Sequence, residues 1–194
     1  MLLSDIKLFS PEIILILGAI FILLYGIFFK KDKNSNKKIL YISLISLIAS
    51  LYCSIYVVDI GTNSFNNLLN NNLYTLFFKI LVFTGTIVII YISYEYLKDL
   101  SLITPEFFFL ILLSLVGILV LISSRNIISM YLGLELQSIC LYILASYRKY
   151  DIKSSEAGVK YFITGALSSG VLLYGLSIIY AFTNSTDFYD FEKG

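Results

Sequence analysis

Among its 194 residues the sequence has no histidine and no tryptophan, only two prolines and two cysteines, and only 14% charged residues. Each shortage excludes something. Without histidine the chain lacks the commonest general base, metal ligand and haem ligand. Cys53 and Cys140 both sit inside apolar runs, with neither the spacing of a metal site nor that of a disulfide framework, and read as packing residues. There is no cysteine cluster for iron–sulfur, no glycine-rich nucleotide loop and no nucleophile–base arrangement, so the chain carries no redox or hydrolytic centre of its own. A net charge of +1 with no clustered basic face argues against nucleic acid as a partner. The N-terminus has no Arg-rich amphipathic presequence and no small-residue cleavage site, so the apolar run after Pro11-Glu12 reads as a retained helix.

The shortage of charge is matched by an excess of apolar residues, 58% of the chain, with a mean hydropathy of +0.87. A soluble domain carries about 25% charged residues. Lipid-length apolar runs recur along the whole sequence, and none shows the alternation of a lipid-facing strand. The reading is an all-α integral membrane protein, a single membrane domain over 1–194. It has about six transmembrane helices, near 11–29, 39–59, 73–97, 106–124, 126–148 and 155–182. The composition leans on Ile, Leu, Phe, Tyr, Asn and Lys, a bias that fits an AT-rich coding genome such as that of many organelles.

The links carry local signals. Pro105 is placed to start the fourth helix. Only a tight turn at Ser124-Arg125-Asn126 separates the fourth and fifth helices, which makes them antiparallel neighbours. Ser154-Ser155-Glu156 reads as the start of the sixth, a hydroxyl cap followed by an acid in the first turn. Links one, three and five hold Lys30, Lys31, Lys33, Lys37, Lys38, Lys98, Arg148, Lys149 and Lys153. The opposite side has Lys7, Arg125 and Lys193 together with Asp187, Asp190 and Glu192. The charge rule places the first set in the cytoplasm or matrix and both termini across the membrane.

Charges inside lipid-length segments are expensive, rare and usually functional. Glu135 lies near the middle of the fifth helix, too deep for a short carboxylate to reach the surface. Its neighbours Tyr131, Leu132, Ser138 and Ile139 include no cation. It is therefore protonated, hydrated or paired with another helix, as a proton-relay element or as a neutral structural glutamate. Lys160, about one turn into the sixth helix, follows Glu156 by four residues. That spacing suits a local ion pair, and the long stem also allows snorkelling; the functional alternative is a buried amine in a hydrated path. Lys79, some six residues into the third helix, reads as snorkelling toward the near surface, with a supporting place in a proton pathway as its alternative. Tyr131, Tyr142 and Tyr161 line a water path or pack. Gly165, Ala166, Ser169, Gly170 and Gly175 form a small-residue face on the sixth helix, a packing signal.

The segment LGLELQSICLYILASYRKYDIKSSEAGVKYFITGALSSGVLLYGLSIIY resembles subunit 2 of the proton-pumping NADH:ubiquinone oxidoreductase, respiratory complex I, an antiporter-like membrane subunit related to Mrp-type cation/proton antiporters. The matching positions are Gly133, Glu135, Ser138, Tyr142 and Leu144, then Glu156, Ala157, Lys160, Tyr161, Gly165, Ala166, Ser169, Gly175 and Tyr180. The resemblance implies proton translocation through Glu135 and Lys160, with Glu156, Tyr142, Ser138 and Lys79 as supporting or pathway residues. It implies no catalytic residue, metal or cofactor in this chain; FMN, iron–sulfur clusters and ubiquinone belong to other subunits. Family members have up to fourteen helices, so the chain reads as the N-terminal part of a split subunit. Its expected partners are other complex I membrane subunits, a separate chain completing the antiporter-like fold, and membrane lipids. The expected setting is multi-pass in the mitochondrial inner membrane, or alternatively a bacterial plasma membrane. Rival readings are a fragment of an Mrp-type antiporter and a non-pumping membrane scaffold.

Overall fold

The computed structural model describes residues 6–28, 35–58, 68–100, 102–148 and 150–188. Part of the first basic link (Lys30, Lys31, Lys33), the Asn-rich stretch 59–67, Lys149, and the tail residues Asp190, Glu192 and Lys193 lie outside the described residues. Among the described residues, six helices are long and apolar enough to cross a membrane: α1 (Ser10–Phe28), α2 (Ser35–Val58), α3 (Leu73–Asp99), α4 (Pro105–Ser123), α5 (Ile127–Ala145) and α6 (Ile152–Thr183). Helix is the form in which a spanning segment satisfies its own backbone in lipid.

Helix α4 is the hub, packing against α1, α2, α3 and α5, while α6 packs on α5. Both the inward and the lipid-facing sides of such helices are apolar, so contrast in hydropathy does not mark the inner face. Shape and polarity do. On α4 the buried row is Phe108, Leu112, Leu115 and Leu119, and on α1 it is Leu15, Ala19, Ile22 and Gly26. On α2 the buried row is rich in serine: Ser43, Ser46, Ser50 and Ser54. Ser43, Ser46 and Ser54 donate to backbone carbonyls of α2, and Ser50 donates across to Pro11 of α1 at 2.8 Å. Small residues let helices approach where the hydrophobic effect cannot drive them together.

The α4–α5 pair crosses where two glycines meet. A Cβ on Gly117 would lie 2.7 Å from the Gln137 backbone nitrogen and 2.8 Å from the Gly133 carbonyl. One on Gly133 would meet the Gly117 carbonyl and the Leu121 nitrogen at 2.8 Å each. Only glycine permits this contact of backbones.

The turn at 124–126 is as tight as the sequence suggests, and it is clasped from both sides. Antiparallel bridges join Leu69 to Ser124 and Asn126 to Asp187. Arg125 N–H donates to the Leu68 carbonyl at 3.0 Å, and Ile127 N–H to the Thr186 carbonyl at 2.9 Å. The Arg125 guanidinium pairs with Asp187 at 3.3 Å. Asn184, at φ 53°, ends α6 in the left-handed conformation and turns the chain back over the turn. At the other end of the bundle, Tyr147 donates to the Leu102 carbonyl at 2.8 Å and lies 2.7 Å from the Thr104 hydroxyl. Burial raises the Tyr147 phenol above its usual range, so it stays a hydrogen-bond donor at neutral pH.

Three helix limits differ from the sequence reading by three residues or more, the first being the start of α2 at Ser35, four residues early. Helix α5 stops at Ala145, three residues early, where the chain leaves to seat Tyr147. Helix α6 starts three residues early, because Asp151 is its cap, accepting from Lys153 N–H at 3.1 Å. Ser154 is inside the helix, and its hydroxyl donates to the Ala145 carbonyl at 3.1 Å. It therefore closes the end of α5 and does not open α6.

Candidate proton-transfer site

Tyr131, Glu135, Ser138 and Tyr142 recur at four, three and four residues along α5, the spacing of one helix face. That face looks toward α6. The Tyr131 hydroxyl lies near both the Glu135 carboxyl, one turn away, and Ser169 of α6. The Tyr142 ring meets Tyr161 edge-on at 4.8 Å and Phe162 at 5.8 Å. Gly165 makes room for the Tyr142 hydroxyl, since a Cβ there would lie 2.1 Å from it. The small-residue face of α6 is thus engaged at Gly165, whereas a Cβ on Gly170 or Gly175 would meet nothing within 4 Å. Above and below Glu135 the α5–α6 seam is lined by hydroxyls, which can pass hydrogen bonds along a row.

Glu135 lies eight residues into α5, about 12 Å along the axis, and is half-buried. No cation among the described residues forms an ion pair with it.

Lys160 is not brought to Glu135. It pairs with Glu156 as its spacing suggests, and both side chains are exposed. Because α6 begins at Ile152, Lys160 lies two turns into the helix and not one. Tyr142 meets Tyr161 edge-on, and Ser146 packs against Gly158. This antiparallel pairing sets Lys160 level with the last turn of α5, and Glu135 near Ser169. The nine residues between Lys160 and Ser169 correspond to roughly 13 Å.

Lys79 corrects the sequence reading outright. It does not snorkel. It belongs to the buried row of α3 with Phe83, Thr86 and Ile90, and is 3% exposed. Its ammonium donates to Glu12 Oε1 of α1 at 3.0 Å and to Asn71 Oδ1 at 3.1 Å. Glu12 is itself 1% exposed. Sequence reasoning treated Glu12 as a mere flank of the first helix. Lys79 sits four residues before Phe83 and seven before Thr86, in register with an inward row that only the fold identifies.

Residues 124–194 match the family model "NADH:quinone oxidoreductase/Mrp antiporter, TM". The chain is 39% identical over 185 residues to NADH-quinone oxidoreductase subunit N of Pelagibacter ubique, covering 95% of this chain and 39% of that protein. It is 35% identical over 188 residues to the subunit of the same name from Rhodobacter capsulatus, covering 95% of this chain and 38% of that protein. The chain thus spans about two-fifths of the length of the curated relatives it matches. Its fold is similar to a chain of respiratory complex I from Thermus thermophilus, with a TM-score of 0.70 and 24% identity over 91% of this chain and 38% of that one. It is also similar to a chain of the membrane-bound sulfane sulfur reductase, an archaeal respiratory membrane complex, with a TM-score of 0.66 and 17% identity over 96% and 39% of the two chains. Along nearly its whole length the chain is thus similar to membrane subunits of NADH-quinone oxidoreductase, its residues 124–194 carry the match to the NADH:quinone oxidoreductase/Mrp antiporter family, and its fold agrees.

Proposed function

We propose that this chain contributes to proton translocation in the membrane arm of an NADH:quinone oxidoreductase, driven by redox chemistry in other subunits. The observation that carries the reading is Glu135: a carboxyl at mid-membrane depth, on a face of hydroxyls, with no ion-pair partner among the described residues. A carboxyl so placed responds to a charge that approaches from another helix, which is what a relay driven at a distance requires. Glu135 holds the proton in this scheme. Tyr131, Ser138 and Tyr142 extend its hydrogen-bonded row, and Lys160 with Glu156 forms a charged pair where the seam nears the Arg148 end. The curated relatives favour this reading over a free-standing Mrp-type antiporter, since those named above are NADH-quinone oxidoreductase subunits.

The exposed length of α6 supports a further part of the proposal. Its apolar span has no buried share within the chain, so additional membrane helices cover it and bring a cation to Glu135. The split-subunit reading assigns those helices to a separate polypeptide. The membrane is the inner mitochondrial membrane on the compositional argument, or the plasma membrane on the bacterial source of the named relatives. The test is a native gel of solubilised membranes stained for NADH dehydrogenase activity, with a photo-crosslinker at Leu167 on the exposed face of α6. Co-migration with the activity, together with a crosslink to a lysine-bearing membrane helix outside this chain's first 194 residues, is the expected result. Migration away from the activity overturns the complex I assignment. Co-migration without such a crosslink overturns the completing helices.

A further inference from the structure

A second ionisable site lies under the clasp. Glu12, in the first turn of α1, and Lys79, in the second turn of α3, are both sealed from the outside, with side chains 2% and 4% exposed. Asn71 completes the cluster, its amide oxygen on the Lys79 ammonium and its amide nitrogen 3.5 Å from the Leu8 carbonyl. Asn71 belongs to the same loop as Leu69 and Asn70, which hold the 123–125 turn. Among the described residues, the other titratable groups on the flanking turns are Lys7 and Tyr74, both exposed, and Cys53 of α2, whose sulfur lies 2.9 Å from the Ser10 hydroxyl.

The cluster is incompletely satisfied. Glu12 Oε2 is buried and has no hydrogen-bond partner among the described residues. An ammonium carries three donors, and the two acceptors on Lys79 are Glu12 Oε1 and Asn71 Oδ1. A pair kept only to tie α1 to α3 has no reason to leave a carboxylate oxygen bare, because an unmade bond to a buried charge is costly. A bare carboxylate oxygen beside a cation is suited to water, and through water to a proton.

We propose that Glu12, held by Lys79 and Asn71, is a second proton-binding site of this chain, hydrated at Oε2 on the clasp side of the bundle. In the step, Oε2 forms an O–H bond with a proton from hydronium. The hydronium becomes water, and the pair passes from Glu⁻/Lys⁺ to a neutral acid beside Lys⁺; release reverses it. Lys79 is a positioning residue: its ammonium holds Glu12 Oε1 and leaves Oε2 to the water. By helix rise, Lys79 lies about 9 Å and Glu135 about 12 Å from the clasp-side starts of their helices, so the Lys79 site lies slightly nearer the clasp than mid-membrane Glu135.

The inference rests on the complex I reading above, and its test separates the two. Proton translocation per NADH oxidised is measured in sealed membrane vesicles, alongside the amount of assembled complex. Two variants remove the ionisable carboxyl without leaving a lone buried charge, E12Q/K79M and E12Q/K79Q; E12D keeps a carboxyl beside Lys79. The expected result is loss of translocation in either neutral pair at undiminished assembly, with recovery in E12D. Wild-type translocation in an assembled neutral pair overturns the site. Loss of assembly in both neutral pairs also overturns it, assigning the cluster to structure alone. Absence of the wild-type chain from any NADH-oxidising assembly is failure of the complex I reading itself.

Discussion

Glu12 and Lys79 are 67 residues apart in sequence and 3.0 Å apart in space, and that separation is why neither was read correctly from sequence. A lysine six residues inside an apolar helix has two low-energy fates, reaching for the surface or finding an acid, and only the fold decides between them. Glu135 was legible for the opposite reason. Its depth along an apolar run follows from the sequence of one helix alone, whereas its partner does not. The buried pair gives a sharp single-residue prediction. Lys79→Met alone leaves the Glu12 carboxylate buried and unpaired, at a cost of about 3–5 kcal/mol. Thermal unfolding in detergent should show a large loss for Lys79→Met that adding Glu12→Gln recovers in good part. Equal destabilisation in the single and double variants would mean that the two side chains are not coupled.

At the scale of elements, the existence and order of the six helices were readable because apolar run length is set by membrane thickness. Their ends and faces were less so. Asp151 and Ser154 are both competent caps, and the choice of Asp151 depends on Ser154 being needed at the Ala145 carbonyl, a contact between two helices. The inward faces are marked by serine and glycine and not by hydropathy, so the usual amphipathic signal is absent. Gly133 was picked out by resemblance, and the structure supplies its reason in the crossing with Gly117. Gly133→Ala places a methyl group against the Gly117 carbonyl and the Leu121 nitrogen. It should cost about 1–3 kcal/mol as the α4–α5 pair is forced apart. Alanine at Gly170, where the space is open, should leave the detergent-solubilised chain unchanged. The same melting experiment compares the two, and equal effects would contradict the close crossing.

At the scale of the whole molecule, the bundle has two unlike ends. The clasp joins the loop before α3, the α4–α5 turn and the segment after α6, and Tyr147 with Thr104 marks the other. Neither the clasp nor the Tyr147 anchor could be read from sequence, since each ties together links far apart along the chain. The charge rule puts Arg148 and Lys153 on the inner side of the membrane and the clasp on the outer. Cysteines placed at Lys153 and at Leu68 should report this, with Leu68→Cys labelled by an impermeant reagent from outside and Lys153→Cys protected. The reverse pattern would invert the assignment.

The central claim is that Glu135 carries a proton that this chain helps to move. Glutamine keeps the shape and most of the hydrogen bonding of Glu135 but cannot ionise. The direct measurement is the number of protons translocated per NADH oxidised by sealed vesicles containing the assembled complex with Glu135→Gln. The account predicts a lowered ratio, or lowered coupled turnover, with the amount of assembled complex unchanged. A Glu135→Gln complex that assembles, turns over and pumps with the wild-type ratio would contradict it.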